Sequence, residues 1–143
     1  MNTMPFGFTR EIISHSDFIK HYGFVLGGLL IHDFNEVMND TFREYDGDKH
    51  PEKLEYIRSE NGLYWVRWND GKGNDYKYRW NSPNGHSGMM TAEALSLCCF
   101  SAAANLLAWK NIEFRKVCSD IYLESLGVIH KHPEGGEIWW CNA

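Results

Sequence analysis

The chain has few cysteines and little net charge, and both shortages exclude something. Its four Cys stand at 98, 99, 118 and 141 with no CxxC pair, so neither a zinc ribbon nor a dithiol redox motif is written in it. HExxH and any Cys/His quartet are also missing. Of the seven His, His130 and His132 form the closest pair, but residues at i and i+2 do not share a helix face. Solvated helix-end histidines are the plainer reading of that pair, and buried free thiols the plainer reading of the cysteines. No metal and no cofactor are expected. The formal net charge of −5 comes without a dense acidic run. That is too mild for an imitation of the DNA phosphate backbone, and of the wrong sign for a typical DNA-binding domain. No basic segment followed by an apolar run opens the chain, so no signal peptide is expected. The most apolar stretch, Ala94 to Ala108, is interrupted by Ser96, Ser101 and Asn105 and falls short of the ~20 apolar residues that cross a bilayer. A cytoplasmic protein with no membrane partner is the expectation.

What is present is the material of one aromatic-rich domain. The 143 residues are 43% hydrophobic and 15% aromatic, with six Trp, enough for a real core. No repeat, linker or low-complexity tract divides residues 1–143, so a single domain is expected. "HSDFIKHY" suits a helical turn, and "GFVLGGLL" an extended segment or a turn. The first firm element is a helix from Ile31 to Tyr45, with Ile31, Phe34, Val37, Met38, Phe42 and Tyr45 on one stripe and Asp33, Glu36, Asp40 and Glu44 on an acidic outer side. Gly47 and Pro51 end it.

"LEYIRSENGLYWVRWN" reads as a hairpin about Asn61-Gly62, a pair suited to a two-residue type I′ turn. That register pairs Ile57 with Val66 and Arg58 with Trp65, and places Arg58 and Arg67 on one face. "YKYRW" predicts a third strand of the same meander, with Tyr76, Tyr78 and Trp80 alternating with Lys77 and Arg79. A helix apolar on nearly every side follows, capped by Thr91, with Glu93 in its first turn, and runs to Trp109; such a helix belongs in the middle of a domain. A further amphipathic helix uses Phe114, Val117, Cys118, Ile121, Tyr122, Leu126 and Ile129 and stops at Pro133. The tail "EIWWCNA" should pack, since two adjacent Trp are costly in water. The fold class is therefore α+β: a small antiparallel meander of three or more strands packed with three main helices, one central and buried.

Chemistry is harder to find. "NSPNGHSG" opens onto a helix N-terminus, a place where anions bind, but no Lys follows its glycines as in a P-loop. A turn that delivers the central helix is the better reading. Cys98 and Cys99 lie within an apolar helix, where burial disfavours the thiolate. Ser87 and Ser96 lack a nucleophile-elbow context. No catalytic constellation emerges, and no enzyme is expected. Arg58, Arg67, Lys77 and Arg79, interleaved with aromatics, form a candidate partner-binding sheet face. It would serve a nucleic acid through stacking and phosphate contacts, or an acidic protein. It also reads as a merely solvated outer face, with Arg58 stacked on Trp65.

The order of four motifs adds what periodicity does not. "FREYDG", "ENGLYWV", "NGHSGMMTAEALSL" and "YLESLGVIHKHPEGGEIW" together resemble the ArdB/KlcA family of antirestriction proteins carried on plasmids and genomic islands. The residues that carry the resemblance are Tyr45, Asp46 and Gly47, then Asn61 and Gly62, then Asn84, Gly85, Gly88, Met90, Thr91 and Glu93, and finally His132, Pro133 and Glu134. "DKHPEKL" looks like an insertion, "WWCNA" replaces an aliphatic ending, and the first thirty residues do not match. The resemblance implies an α+β domain that relieves type I restriction of incoming DNA. It further implies action through host restriction or DNA-processing proteins and not through DNA mimicry. It supplies no catalytic residues, and the motif residues read as structural. The alternative is a nucleic-acid-binding module using the basic sheet face.

Overall fold

The computed structural model describes residues 2–3, 9–42, 53–72, 76–82 and 85–142. Tyr45, Asp46, Gly47 and Asn84 of the family motifs lie outside the described residues, as do Glu44 and Pro51.

Helix α1, His15–Tyr22, begins where the Ser14 hydroxyl accepts from the Asp17 N–H, and ends at Gly23 with φ 89°, the side of φ that glycine adopts freely. Helix α2, Phe24–Phe42, follows at once. It starts seven residues before the Ile31 expected from periodicity, so "GFVLGGLL" is helical and not extended. Packing explains this. Leu26, Leu30, Phe34 and Met38 repeat every fourth residue and are all buried, and a Cβ on Gly27 would come within 2.8 Å of Ile19 Cδ1. The glycine that looks like a breaker lets α1 and α2 approach closely. Asp33 is not on an acidic outer side. It is buried, with Lys110 Nζ at 2.7 Å and His32 Nδ1 at 3.2 Å, while Glu36 and Asp40 are exposed.

The first sheet is a four-stranded antiparallel meander in chain order: β1 Asn2–Thr3, β2 Thr9–Ile13, β3 Leu54–Ser59 and β4 Tyr64–Trp68. Its hairpin lies where Asn-Gly indicated, but one residue out of the expected register. Ile57 faces Trp65 and Tyr56 faces Val66. The Ser59 N–H donates to Leu63 O, and Gly62 alone in the turn has positive φ, 89°. This is a three-residue loop, which tolerates Asn61 at negative φ. A slip of one residue turns side chains to the other face. Arg67 therefore shares the face of Ile57 and Trp65, while Arg58 shares that of Tyr56 and Tyr64. Trp65 is buried on the far side from Arg58, so the two do not stack.

The expected third strand belongs elsewhere. Among the described residues strand β5, Lys77–Asn81, pairs with β6, Ser87–Thr91, alone, in a separate two-stranded sheet. Tyr78, Trp80 and Met90 turn inward, and Lys77, Arg79 and Met89 outward.

Helix α3, Ala92–Lys110, is the centre of the fold. It packs on α2, β4, β6, on α4 (Arg115–Lys131) and on α5 (Gly135–Asn142). Thr91 is its N-cap, accepting from the Ala94 N–H. Its few hydroxyls are satisfied internally. Ser101 donates to Cys98 O, and Ser96 donates to Ala92 O while accepting from the Trp68 N–H at 2.8 Å. At 19 residues α3 is long and apolar enough to cross a membrane by composition, yet most of it lies inside the protein. Its last turn emerges, with Leu106 and Trp109 exposed. Helices α2, α3 and α4 are the three long ones. All four cysteines are buried and free. In the tail, Ile138 and Cys141 pack, but Trp139 and Trp140 are each about half exposed, at 48% and 50%.

Candidate functional site

A carboxylate stands at the start of the central helix, and side chains from three other segments converge on it. Glu93, in the first turn of α3, is 7% exposed. Its Oε2 accepts from Arg10 Nε on β2 and from Arg67 Nη1 on β4, both at 2.6 Å. Its Oε1 lies 3.1 Å from Nε2 of His132, which follows α4. Arg67 also holds Glu55 Oε1 through Nη2 at 3.1 Å. Two guanidiniums and two carboxylates thus neutralise each other inside the fold, as buried charges must. Burial alone would push the Glu93 pKa up. The His132 hydrogen bond and the Arg10 and Arg67 charges outweigh it and hold the carboxyl at about 2. The helix N-terminus favours the same ionised form.

His132 is fixed from both sides. Its Nδ1 accepts from the Glu134 N–H at 3.0 Å, so the ring proton sits on Nε2 and is directed at Glu93. Far from being solvated, this histidine is buried. Two residues on, the Glu134 carboxylate takes both the Thr91 N–H, at 3.0 Å, and the Thr91 hydroxyl. The Glu134 carbonyl starts α5 by accepting from the Ile138 N–H. Gly135 is required between them, because a Cβ there would strike the Ile129 carbonyl. One turn further, Glu137 Oε1 accepts from the Met89 N–H at 3.3 Å. The outer edge of β6 is thereby closed by two carboxylates, a protected edge strand. Gly88 leaves the room for this, since a Cβ would collide with the Glu137 carboxylate and come within 2.9 Å of Trp80.

Two of the sequence motifs are therefore halves of one latch. Thr91 and Glu93 from the start of α3 hold Glu134 and His132 from the end of α4. Pro133 stands between the two anchors, and Met90 is buried beside them. Gly85, with φ 85°, turns the preceding loop. His86 stacks on Trp140 at 3.9 Å and 8°, and its Nδ1 donates to the Trp140 carbonyl at 2.9 Å. Asn61 Nδ2 donates to Glu124 O of α4.

The four basic residues do not form one face. Arg67 is committed to the internal network. Arg58, half exposed, pairs with Glu11 on the neighbouring strand, beside a cleft lined by Lys20, His21, Tyr64 and Asp17. Burial lowers the pKa of His21 against the opposing charge of Glu124, and its ring stacks on Tyr64 at 3.7 Å. Lys77 and Arg79 are exposed on the outer face of the second sheet. Sequence reasoning missed Arg10 and Glu137, and it placed Glu55 opposite Trp68 in the hairpin, where the structure sets it opposite Arg67. The available signal was Glu93 itself: an acid in the first turn of an otherwise apolar helix needs cations facing it. The Glu93 carboxylate, ionised and fully engaged, is built as an anchor; proton transfer wants a group poised nearer the working pH. Among the described residues no cluster of three or more His, Cys, Asp or Glu is arranged to hold a metal.

No model of a protein family matches the chain, and no curated protein matches it. Among solved structures, that of the KlcA and ArdB proteins aligns with a TM-score of 0.78 at 19% sequence identity, over 100% of both chains. Those proteins are described as showing a novel fold and antirestriction activity against Type I DNA restriction systems in vivo but not in vitro. The chain described here has the KlcA/ArdB fold.

Proposed function

We propose that this protein, built on the KlcA/ArdB fold, relieves type I restriction of incoming DNA by contacting host restriction or DNA-processing proteins in the cytoplasm. It does so without catalysis, metal or cofactor. The observation that supports this reading most is the end-to-end structural likeness, with a TM-score of 0.78 over the full length of both chains. The charge pattern favours protein contact over DNA mimicry. A phosphate mimic needs dense acidic runs, whereas this chain has none and a net charge of only −5. The second reading, a nucleic acid on a basic face, is left with Lys77 and Arg79 on one sheet and Arg58 on another.

The test is the plating of unmodified phage on a type I-restricting host and on its restriction-deficient parent, with and without verified expression of this protein. Plating on the restricting host should rise toward that on the parent, and a simple type II system should be unaffected. Equal plating with and without the protein overturns the reading. A salt-dependent affinity of the purified protein for DNA would favour the nucleic-acid alternative.

A further inference from the structure

Three of the four buried cysteines meet at one place. Cys98 and Cys99 of α3 and Cys141 of α5 line a pocket of about 280 Å³ together with Asn105, Tyr122 and Asn142. Cys99 is turned toward α2, with its Sγ 4.0 Å from Met38 Sδ. Cys98 is turned toward α5. Its thiol donates at 3.4 Å to Oδ1 of Asn142, the residue next to Cys141. Asn142 is itself fixed by donating to Ser101 Oγ. Cys98 and Cys141 thus line the same pocket from the two sides of the α3–α5 contact. Cys141 lies in the final turn of α5, a helix of eight residues.

We propose that Cys98 and Cys141 are an oxidisable pair, a disulfide site that bolts α5 to α3. The oxidant is a small disulfide such as glutathione disulfide, entering through the pocket. The Cys141 thiolate attacks one glutathione sulfur, forms a mixed disulfide and expels glutathione thiolate. The Cys98 thiolate then attacks the Cys141 sulfur and expels the second. Two electrons pass from the cysteine pair to the glutathione disulfide, and the two protons lost by the cysteines are taken up by the departing thiolates. The interaction with Cys141, together with burial, pushes the Cys98 thiol well above the ordinary thiol range. Oxidation therefore accelerates as the pH rises, and Cys98 suits the resolving role. The cross-link fixes α5, and with it the Glu134 and Glu137 contacts to β6. The inference stands apart from the antirestriction reading and does not depend on it.

The experiment treats the folded, full-length protein with glutathione disulfide at about pH 8.5, where ordinary thiols are substantially ionised. Free thiols are then alkylated, and intact mass and peptide maps are recorded. The expected product is two hydrogens lighter than the reduced protein, contains a Cys98–Cys141 cross-linked peptide, and melts about 5 °C or more higher. Dithiothreitol should reverse all three changes. Cys98→Ser should stop at a glutathione adduct on Cys141, and Cys118→Ser should cross-link like the parent. A folded protein that stays reduced, or a cross-link joining any other pair, overturns the proposal.

Discussion

Replacing Glu93 by glutamine keeps the shape of the side chain and removes the charge on which Arg10, Arg67 and His132 converge. Its cost can be worked from the pKa. The fall from the ordinary glutamate value of 4.5 to about 2 corresponds to about 3 kcal/mol at 1.36 kcal/mol per pH unit. Loss of one partner from a buried ion pair, about 3–5 kcal/mol, gives the same order. Arg67 keeps Glu55, but among the described residues Arg10 Nη1 already lacks a hydrogen-bond partner, so Arg10 bears the loss. For a chain of this size the melting temperature should drop by about 10 °C. Because the folded pKa is lowered, the stabilisation is fully present above pH about 4.5. It fades as the pH falls toward about 2. Glu93→Gln never has this term, so the gap between variant and parent should narrow steadily on acidification and nearly close at the bottom of that window. Urea titrations followed by Trp fluorescence at pH 7, 5, 4 and 3 measure it, since Trp65 and Trp80 are buried reporters. A gap under about 1 kcal/mol at pH 7, within the range of an ordinary neutral hydrogen bond, would refute the argument. So would a gap that does not change with pH.

Other perturbations follow from the same geometry. Thr91→Val removes the cap to Ala94 and the hydroxyl held by Glu134 and should cost about 1–2 kcal/mol in urea unfolding, with Thr91→Ser near parental. Leu97→Asp puts an unpaired charge into the fully buried centre of α3, and circular dichroism of the expressed protein should show no cooperative unfolding. Reversing Lys77 and Arg79 together, or Glu36 and Asp40 together, should move stability by no more than about 0.5 kcal/mol per site. Phage plating with each pair then tells which surface carries recognition, and two fully active, folded variants would send the search to the cleft beside Arg58.

How much of this was legible depended on whether the signal was local. The central helix was readable because nineteen residues without a polar face have no stable place except the interior, and Thr91 marks their start. The hairpin's position was readable from Asn61-Gly62, but its register was not. A type I′ turn needs both residues at positive φ, whereas Asn61 stays negative. Its side chain accepts from the Leu63 N–H and reaches Glu124 O of α4. That tertiary choice decided which arginine turned inward. The start of α2 was hidden for a related reason: the value of Gly27 lies in what it approaches, and Ile19 is on another helix.

The family-like motifs bear on function through what they leave over. Thr91 reaches Glu134 across 43 residues of chain, and Glu93 reaches His132 across 39. No periodicity could pair them, yet the two segments stand out in the sequence together because they form one object in space. Thr91, Glu93, His132, Glu134 and Glu137 are engaged in holding α3, β6 and α5 in place. Motif likeness in such a fold therefore reports the architecture. Recognition of a partner needs groups free to exchange water for a contact. Exposed outside that object are Glu36 and Asp40 of α2, Lys77 on the outer face of β5 and the half-exposed Trp pair of α5. Surfaces of that kind can change without disturbing the latch. A chain 19% identical to its structural neighbour can in this way keep the same fold.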